Sequence, residues 1–188
     1  MIRSFLAIEL PEAIRKRIEE VQKDLRSSKS DVRWVSPEKI HLTLKFFGNV
    51  EESRVDTITK SIGPLVGGTR HFSLEVRGMG AFPNVRNPRV IWMGLIDEQQ
   101  VLIPLQKQLE FTLETIGFQV EDRLFRPHLT LGRMDSGRGK DELIGRVQKY
   151  KEVKFGDVEV ERLVLFKSDL KPTGPIYTPL GEVKLGGI

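Results

Sequence analysis

Two of the three histidines in this chain head the same tetrapeptide, His41-Leu42-Thr43-Leu44 and His128-Leu129-Thr130-Leu131, 87 positions apart. Side chains alternate faces along a strand, so His41 and Thr43 share one face while Leu42, Leu44 and Phe46 share the other. The second copy divides in the same way. If the two polar faces meet, a pair of imidazoles and a pair of hydroxyls flank one space. A neutral imidazole can then take a proton from an attacking oxygen while a protonated one gives a proton to a leaving oxygen, which suits displacement at phosphorus without a metal. The ordinary imidazole pKa of about 6.5 keeps both forms accessible near neutral pH. The threonine hydroxyls can hydrogen-bond non-bridging oxygens or hold the imidazoles.

A lone histidine in a strand is usually a packing or surface residue. Its return with threonine at matched places in two halves argues otherwise, because packing alone does not require that polar face twice. Arg133, two residues past the second motif, suits a bidentate contact with phosphoryl oxygens. Strict alternation points it away from His128, so this role requires Gly132 to permit a bulge, or the strand to end there. Lys45 alternates onto the His41 face without help. By the same parity Phe46 belongs to the core, and Phe47 faces the cleft where it can stack on a base. Trp34, beside Arg33, fits stacking and core packing equally, and Tyr177 has no assigned role. No metal is expected: the chain has no cysteine, carboxylates do not accompany the motifs, and His71 lies in an unrelated segment.

The elements that must position these residues can be read from periodicity. Ile2 to Leu10 alternates as a strand, and Pro11 opens a helix whose stripe is Ile14, Ile18, Val21 and Leu25. A short strand at Val32–Val35 and a turn at Ser36-Pro37-Glu38 lead into the first motif strand, Ile40–Phe47, which Gly48-Asn49 ends. A helix over about 51–65, a strand at Phe72–Val76 and a Gly/Pro/Asn-rich loop over 78–88 follow. Arg89–Leu95 starts the pattern again. A helix carries Leu102, Leu105, Leu109, Leu113 and Ile116, Gly117 caps it, and Phe118 and Val120 suggest a short strand. After the second motif come a short helix with Leu143 and Val147, one long strand over 158–168 and a last strand around 177–183. The strand ends Leu10 and Leu95 are 85 positions apart, close to the spacing of the motifs. The expectation is an α+β fold: a single domain of two lobes, roughly 1–88 and 89–188, related by a pseudo-two-fold duplication that can exchange strands between them. If the two copies pack with approximate two-fold symmetry, both His-Thr faces can line one central cleft.

With 188 residues, 39% hydrophobic and 30% charged, the chain has a globular composition. Lys and Arg exceed Asp and Glu by 30 to 26, a mild excess compatible with a polyanion such as RNA. No apolar run is long enough for a membrane helix and the N-terminus lacks a signal-peptide layout, so a cytoplasmic protein without membrane association is expected. Nothing calls for an obligatory protein partner.

The doubled H-x-T-x motif resembles the 2H phosphoesterase superfamily. Phe5-Leu6-Ala7-Ile8-Glu9-Leu10-Pro11, Ile40 to Gly48, Arg126 to Arg133 and Leu165-Phe166-Lys167-Ser168 are similar to one branch of it. That branch is the RNA 2′,3′-cyclic phosphodiesterases, historically named 2′-5′ RNA ligases. The resemblance implies a bilobal α+β fold with antiparallel sheets lining a central cleft and helices on the outside, and hydrolysis of an RNA terminal 2′,3′-cyclic phosphate to a 2′-phosphate, without metal or other cofactor. It implies His41 as proton donor and His128 as proton acceptor, with Thr43, Thr130 and Arg133 on the phosphate, and RNA ends as partners. Reversal would join RNA through a 2′-5′ linkage without ATP. Two alternatives are a cyclic phosphodiesterase for a small nucleotide and a non-catalytic module that binds RNA ends.

Overall fold

A computed structural model of the chain describes residues 1–172 and 174–187. Strand β1 (Ile2–Glu9) leads into helix α1 (Glu12–Arg26), followed by β2 (Val32–Trp34), a 3-10 turn at Pro37–Lys39 and β3 (His41–Val50). Helix α2 (Arg54–Gly67), β4 (Phe72–Asn84), β5 (Asn87–Ile96) and α3 (Leu102–Glu114) come next. The chain ends with β6 (His128–Met134), α4 (Lys140–Lys149), β7 (Lys154–Val160), β8 (Arg162–Lys171) and β9 (Gly174–Lys184).

Two sheets form, both with antiparallel neighbours, in the orders β3-β1-β8-β9 and β2-β6-β5-β4-β7. Each sheet draws strands from both sides of residue 88, and each holds one motif strand, β3 at the edge of the first beside β1 and β6 beside the central β5 of the second. Helix α1 leads from β1 of the first sheet to β2 of the second and packs with α4 against the second; α3 connects β5 to β6 of the second but packs with α2, which lies against β8 and β9 of the first. The amphipathic stripes explain the packing: Ile14, Ile18, Val21 and Leu25 of α1 and Leu102, Leu105, Leu109 and Leu113 of α3 join the main core. Full burial of such a side chain contributes about 1.5–3 kcal/mol. On the opposite face of the first sheet, Phe5, Ala7, Val164 and Phe166 make a separate small cluster with Tyr177 packed on it.

Several element boundaries differ from those expected. The stretch over 78–88 is strand, not loop: β4 and β5 form a hairpin reaching Asn84 and starting again at Asn87. Its glycines serve close approach within the sheet. Gly78 takes φ +74° at a register shift, and a Cβ there would lie 2.6 Å from the carbonyl oxygen of Lys151. The expected strand over 158–168 is two strands in different sheets, β7 and β8, divided at Glu161. Residues 118–120 form no strand, and β3 continues through Gly48 and Asn49 to Val50.

Candidate active site

Strands β3 and β6 bring the two motifs to the same place. His41, Thr43, His128 and Thr130 all line one cavity of about 1210 Å³. Each imidazole is fixed by its own backbone: Nδ1 of His41 lies 2.9 Å from the carbonyl oxygen of Lys39, and Nδ1 of His128 lies 2.6 Å from that of Arg126. A carbonyl oxygen only accepts, so in both rings Nδ1 carries the proton and Nε2 is the nitrogen left to meet a substrate. A neutral ring then offers a lone pair at Nε2, and a protonated ring offers N–H there.

Aromatic rings complete the hold. Phe5 on β1 stacks on His41 at 4.6 Å between centroids, and Tyr177 on β9 meets it edge-on at 5.3 Å. Phe82 on β4 meets His128 edge-on at 5.0 Å. Burial in this setting holds the His41 imidazole below its ordinary pKa, while the hydrogen bond to Lys39 acts in the opposite direction. Burial likewise pushes the Tyr177 hydroxyl up, opposed by the charges of Arg3 and Arg133. Arg133 is on β6 of the second sheet and Tyr177 on β9 of the first, so this guanidinium acts across the cleft.

Both motif strands are bulged, β3 at Leu44 and again at Phe47 and β6 at Leu131, and the bulges at Leu44 and Leu131 decide which side chains face the cleft. Against β1, Thr43 pairs with Ala7 and Lys45 with Leu6, so the register skips Leu44. Against β5, Thr130 pairs with Trp92 and Gly132 with Ile91, so the register skips Leu131. One extra residue inverts the alternation beyond it. Arg133 is therefore exposed on the cleft face and lines the cavity, as its expected role required. Gly132 permits this by lacking a side chain: a Cβ there would sit 2.6 Å from Val32 Cγ1 and 3.1 Å from the carbonyl oxygen of Arg33.

The same inversion corrects the reading of the first motif. Phe46 is 54% exposed and lines the cavity. Phe47 turns the other way and packs on the main core, with Phe118 edge-on at 4.9 Å. Lys45 is the counterpart of Gly132 and is buried. Its Nζ donates to Glu110 Oε2 at 2.6 Å and to the carbonyl oxygen of Gln119 at 2.5 Å, so Lys45 lines the cavity with its charge paired inside the protein. Simple parity fails at these positions because it assumes an unbroken ladder.

The sequence pattern of the family described as LigT like Phosphoesterase matches residues 8–92 and 95–177. The chain belongs to the LigT-like phosphoesterase family. This phosphoesterase is 36% identical over 184 residues to the RNA 2′,3′-cyclic phosphodiesterase of Methanothermobacter thermautotrophicus, covering 98% of this chain and 99% of the relative. It is 34% identical to the Thermotoga maritima protein of the same name, covering 99% and 97%. The structure of TT0787 of Thermus thermophilus superposes with a TM-score of 0.82 at 30% identity, covering 99% of both chains. Apo LigT of E. coli superposes at 0.78 and 26% identity, covering 98% of both; LigT has also been solved with 3′-AMP.

The remaining cavity wall of this LigT-like phosphoesterase includes residues that pattern reading passed over. Glu121, Arg123, Leu124 and Phe125 reach it from the loop before β6, and Lys171 and Pro175 from the β8–β9 hairpin. Trp34 lines the cavity while packing on the core, with the Arg26 guanidinium 5.4 Å above its ring. The contacts of Phe5 and Phe82 with the histidines gave no sequence signal, since Phe5 reads as a strand residue and Phe82 fell in a stretch expected to be loop. Gln22 and Gln106 did give one: each is a polar residue on an otherwise apolar helix stripe. Among the described residues no three His, Asp or Glu side chains converge as a metal site, and no helix is long and apolar enough to cross a membrane.

Proposed function

We propose that this phosphoesterase hydrolyses the 2′,3′-cyclic phosphate at an RNA end to a 2′-phosphate, using its two histidines and no metal. The observation that carries the reading is that two His-Thr pairs line one cavity, each imidazole held through Nδ1 with Nε2 left for substrate. Water attacks phosphorus and gives a proton to Nε2 of His128, while the 3′ oxygen leaves with a proton from Nε2 of His41. Thr43, Thr130 and Arg133 hold the non-bridging oxygens, and Arg133 offsets charge gathered in the transition state. His41 must be protonated to act as the donor. Burial opposes this in the free protein, and the anionic phosphodiester favours it once bound.

The names of the relatives support an RNA substrate, and so does the wall of the cavity, where Arg33, Lys39, Arg123, Arg126, Arg133 and Lys171 outnumber Glu121. Phe46 offers an exposed ring for a base. An RNA 5′-hydroxyl that attacks the cyclic phosphate in place of water yields a 2′-5′ linkage without ATP. The test is incubation with an RNA ending in a 2′,3′-cyclic phosphate in excess chelator, with the product separated by chromatography. A 2′-phosphate is expected, with turnover lost in His41→Ala and His128→Ala. A 3′-phosphate reverses the assignment of the leaving oxygen, and activity abolished by chelator removes the metal-free mechanism. Weaker turnover on an oligonucleotide than on a mononucleotide 2′,3′-cyclic phosphate points to a small-nucleotide substrate instead.

A further inference from the structure

The bulges at Leu131 and Leu44 are braced by the same device. The carbonyl oxygen of Leu131 accepts from Gln22 Nε2 at 3.0 Å, and that of Leu44 accepts from Gln106 Nε2 at 3.3 Å. Both are residues that the register skips. A bulge leaves its extra residue out of the ladder, so its backbone groups need partners elsewhere or stay buried and unsatisfied. Both glutamines are buried, at 2% and 9% exposure. Gln22 comes from α1, which packs against the second sheet, and Gln106 from α3, which packs with α2 on the first. The second hydrogen of each amide completes a local tie. Gln22 also donates to the carbonyl oxygen of Val35 at 2.7 Å, while the Val35 N–H donates to Leu131. Gln106 donates to Glu110 Oε1, the carboxylate that holds Lys45.

We infer that Gln22 and Gln106 are positioning residues, which keep the bulges at Leu131 and Leu44 and thereby hold Arg133 and Phe46 on the cleft face. Without the amide, the Val35 carbonyl loses its side-chain donor at the second motif and Leu131 keeps only the Val35 N–H, while the Leu44 carbonyl loses the Gln106 donor at the first. The strands then relax toward regular pairing. Regular pairing turns Arg133 away from His128 and Phe46 away from His41. Each glutamine thus acts on one side of the cleft, through one side chain.

The readout rests on the phosphodiesterase reading proposed above, so the experiment has a second arm that does not need turnover. Wild type, Gln22→Met, Arg133→Ala and the double variant are compared for kcat/KM on cyclic-phosphate RNA and for affinity toward inorganic phosphate by calorimetry. Loss of Arg133 alone costs about 100-fold in kcat/KM, the scale of one transition-state donor. In the Gln22→Met background the same loss costs about tenfold or less, because Arg133 is already displaced. Gln106→Met leaves the Arg133 penalty intact and shrinks the effect of Phe46→Ala on KM. A general loss of stability would not produce that crossed pattern. A full Arg133 penalty in Gln22→Met, in both turnover and phosphate binding, overturns the inference. So does a crystal structure of that variant with the Leu131 skip retained and Arg133 still in the cleft. If wild type shows no turnover yet binds phosphate through Arg133, the phosphodiesterase reading fails and the phosphate arm with the variant's crystal structure still judges the glutamines. Should Gln22→Met fail to fold, Gln106→Met with Phe46→Ala carries the same comparison.

Discussion

Replacing Gly132 by alanine tests whether the second motif needs glycine for space. The added methyl would lie 2.6 Å from Val32 Cγ1, 3.0 Å from Trp34 Cε3 and 3.1 Å from the carbonyl oxygen of Arg33. Carbon atoms rest at about 3.5–4.0 Å, so β2 must retreat by about 1 Å. None of the three neighbours yields easily. Val32 is β-branched and stiff at χ1, Trp34 packs on the core, and the Arg33 oxygen is backbone. Overpacking of this kind costs about 1–3 kcal/mol, which lowers Tm by about 2–4 °C per kcal/mol in a chain of this size. The functional cost is larger, because Trp34 and Val35 line the cavity and Arg133 is the next residue along β6. A misplacement of about 1 Å can cost about 100-fold in rate. Thermal unfolding and kcat/KM on cyclic-phosphate RNA measure both. An alanine variant within about 0.5 kcal/mol and twofold of wild type, on the scale of a neutral surface change, would refute the claim that this glycine is retained for close approach.

Other perturbations follow from the same geometry. Lys45→Met strands Glu110 in a site where the two side chains are 4% and 7% exposed, and should cost about 3–5 kcal/mol in denaturant unfolding. Combining it with Glu110→Leu should recover much of that; a Lys45 variant that loses substrate binding but no stability would restore the direct binding role expected from parity. Phe46→Ala should raise KM on RNA about tenfold, from a stacking contribution of about 1–3 kcal/mol per base, with little change in Tm. Phe47→Ala should instead lose about 3 kcal/mol of stability, and the reverse pattern would return Phe47 to the cleft. His41 is held below its ordinary value by burial, so the folded protein binds fewer protons than the unfolded chain in mild acid. Its contribution to stability is full above about pH 6.5 and is lost as pH falls toward the lowered value. Melting curves of wild type and His41→Gln between pH 8 and pH 5 should converge at the acid end; parallel curves would contradict the lowered value. In catalysis, His128→Ala leaves the donor His41, so residual activity should fall as pH rises.

The chain alone determined which residue types meet at the site. The repetition of His-x-Thr at a spacing near that of the apolar pattern signalled two equivalent strands, and His and Thr type carry meaning wherever the strands end up. Helix positions were equally legible, because α1 and α3 show their buried faces as apolar residues three and four apart. What only tertiary structure decided was facing. Alternation along a strand is a local rule, and it breaks where a neighbouring strand permits an extra residue. Whether Leu44 and Leu131 bulge depends on β1 and β5 opposite them, on Gln106 and Gln22 from α3 and α1, and on the closeness of β2 to Gly132. Those partners lie far away in sequence, so no window around the motif contains them. Arg133 and Phe46 owe their place in the cleft to such contacts, as Phe47 owes its exclusion from it and Lys45 its pairing with Glu110.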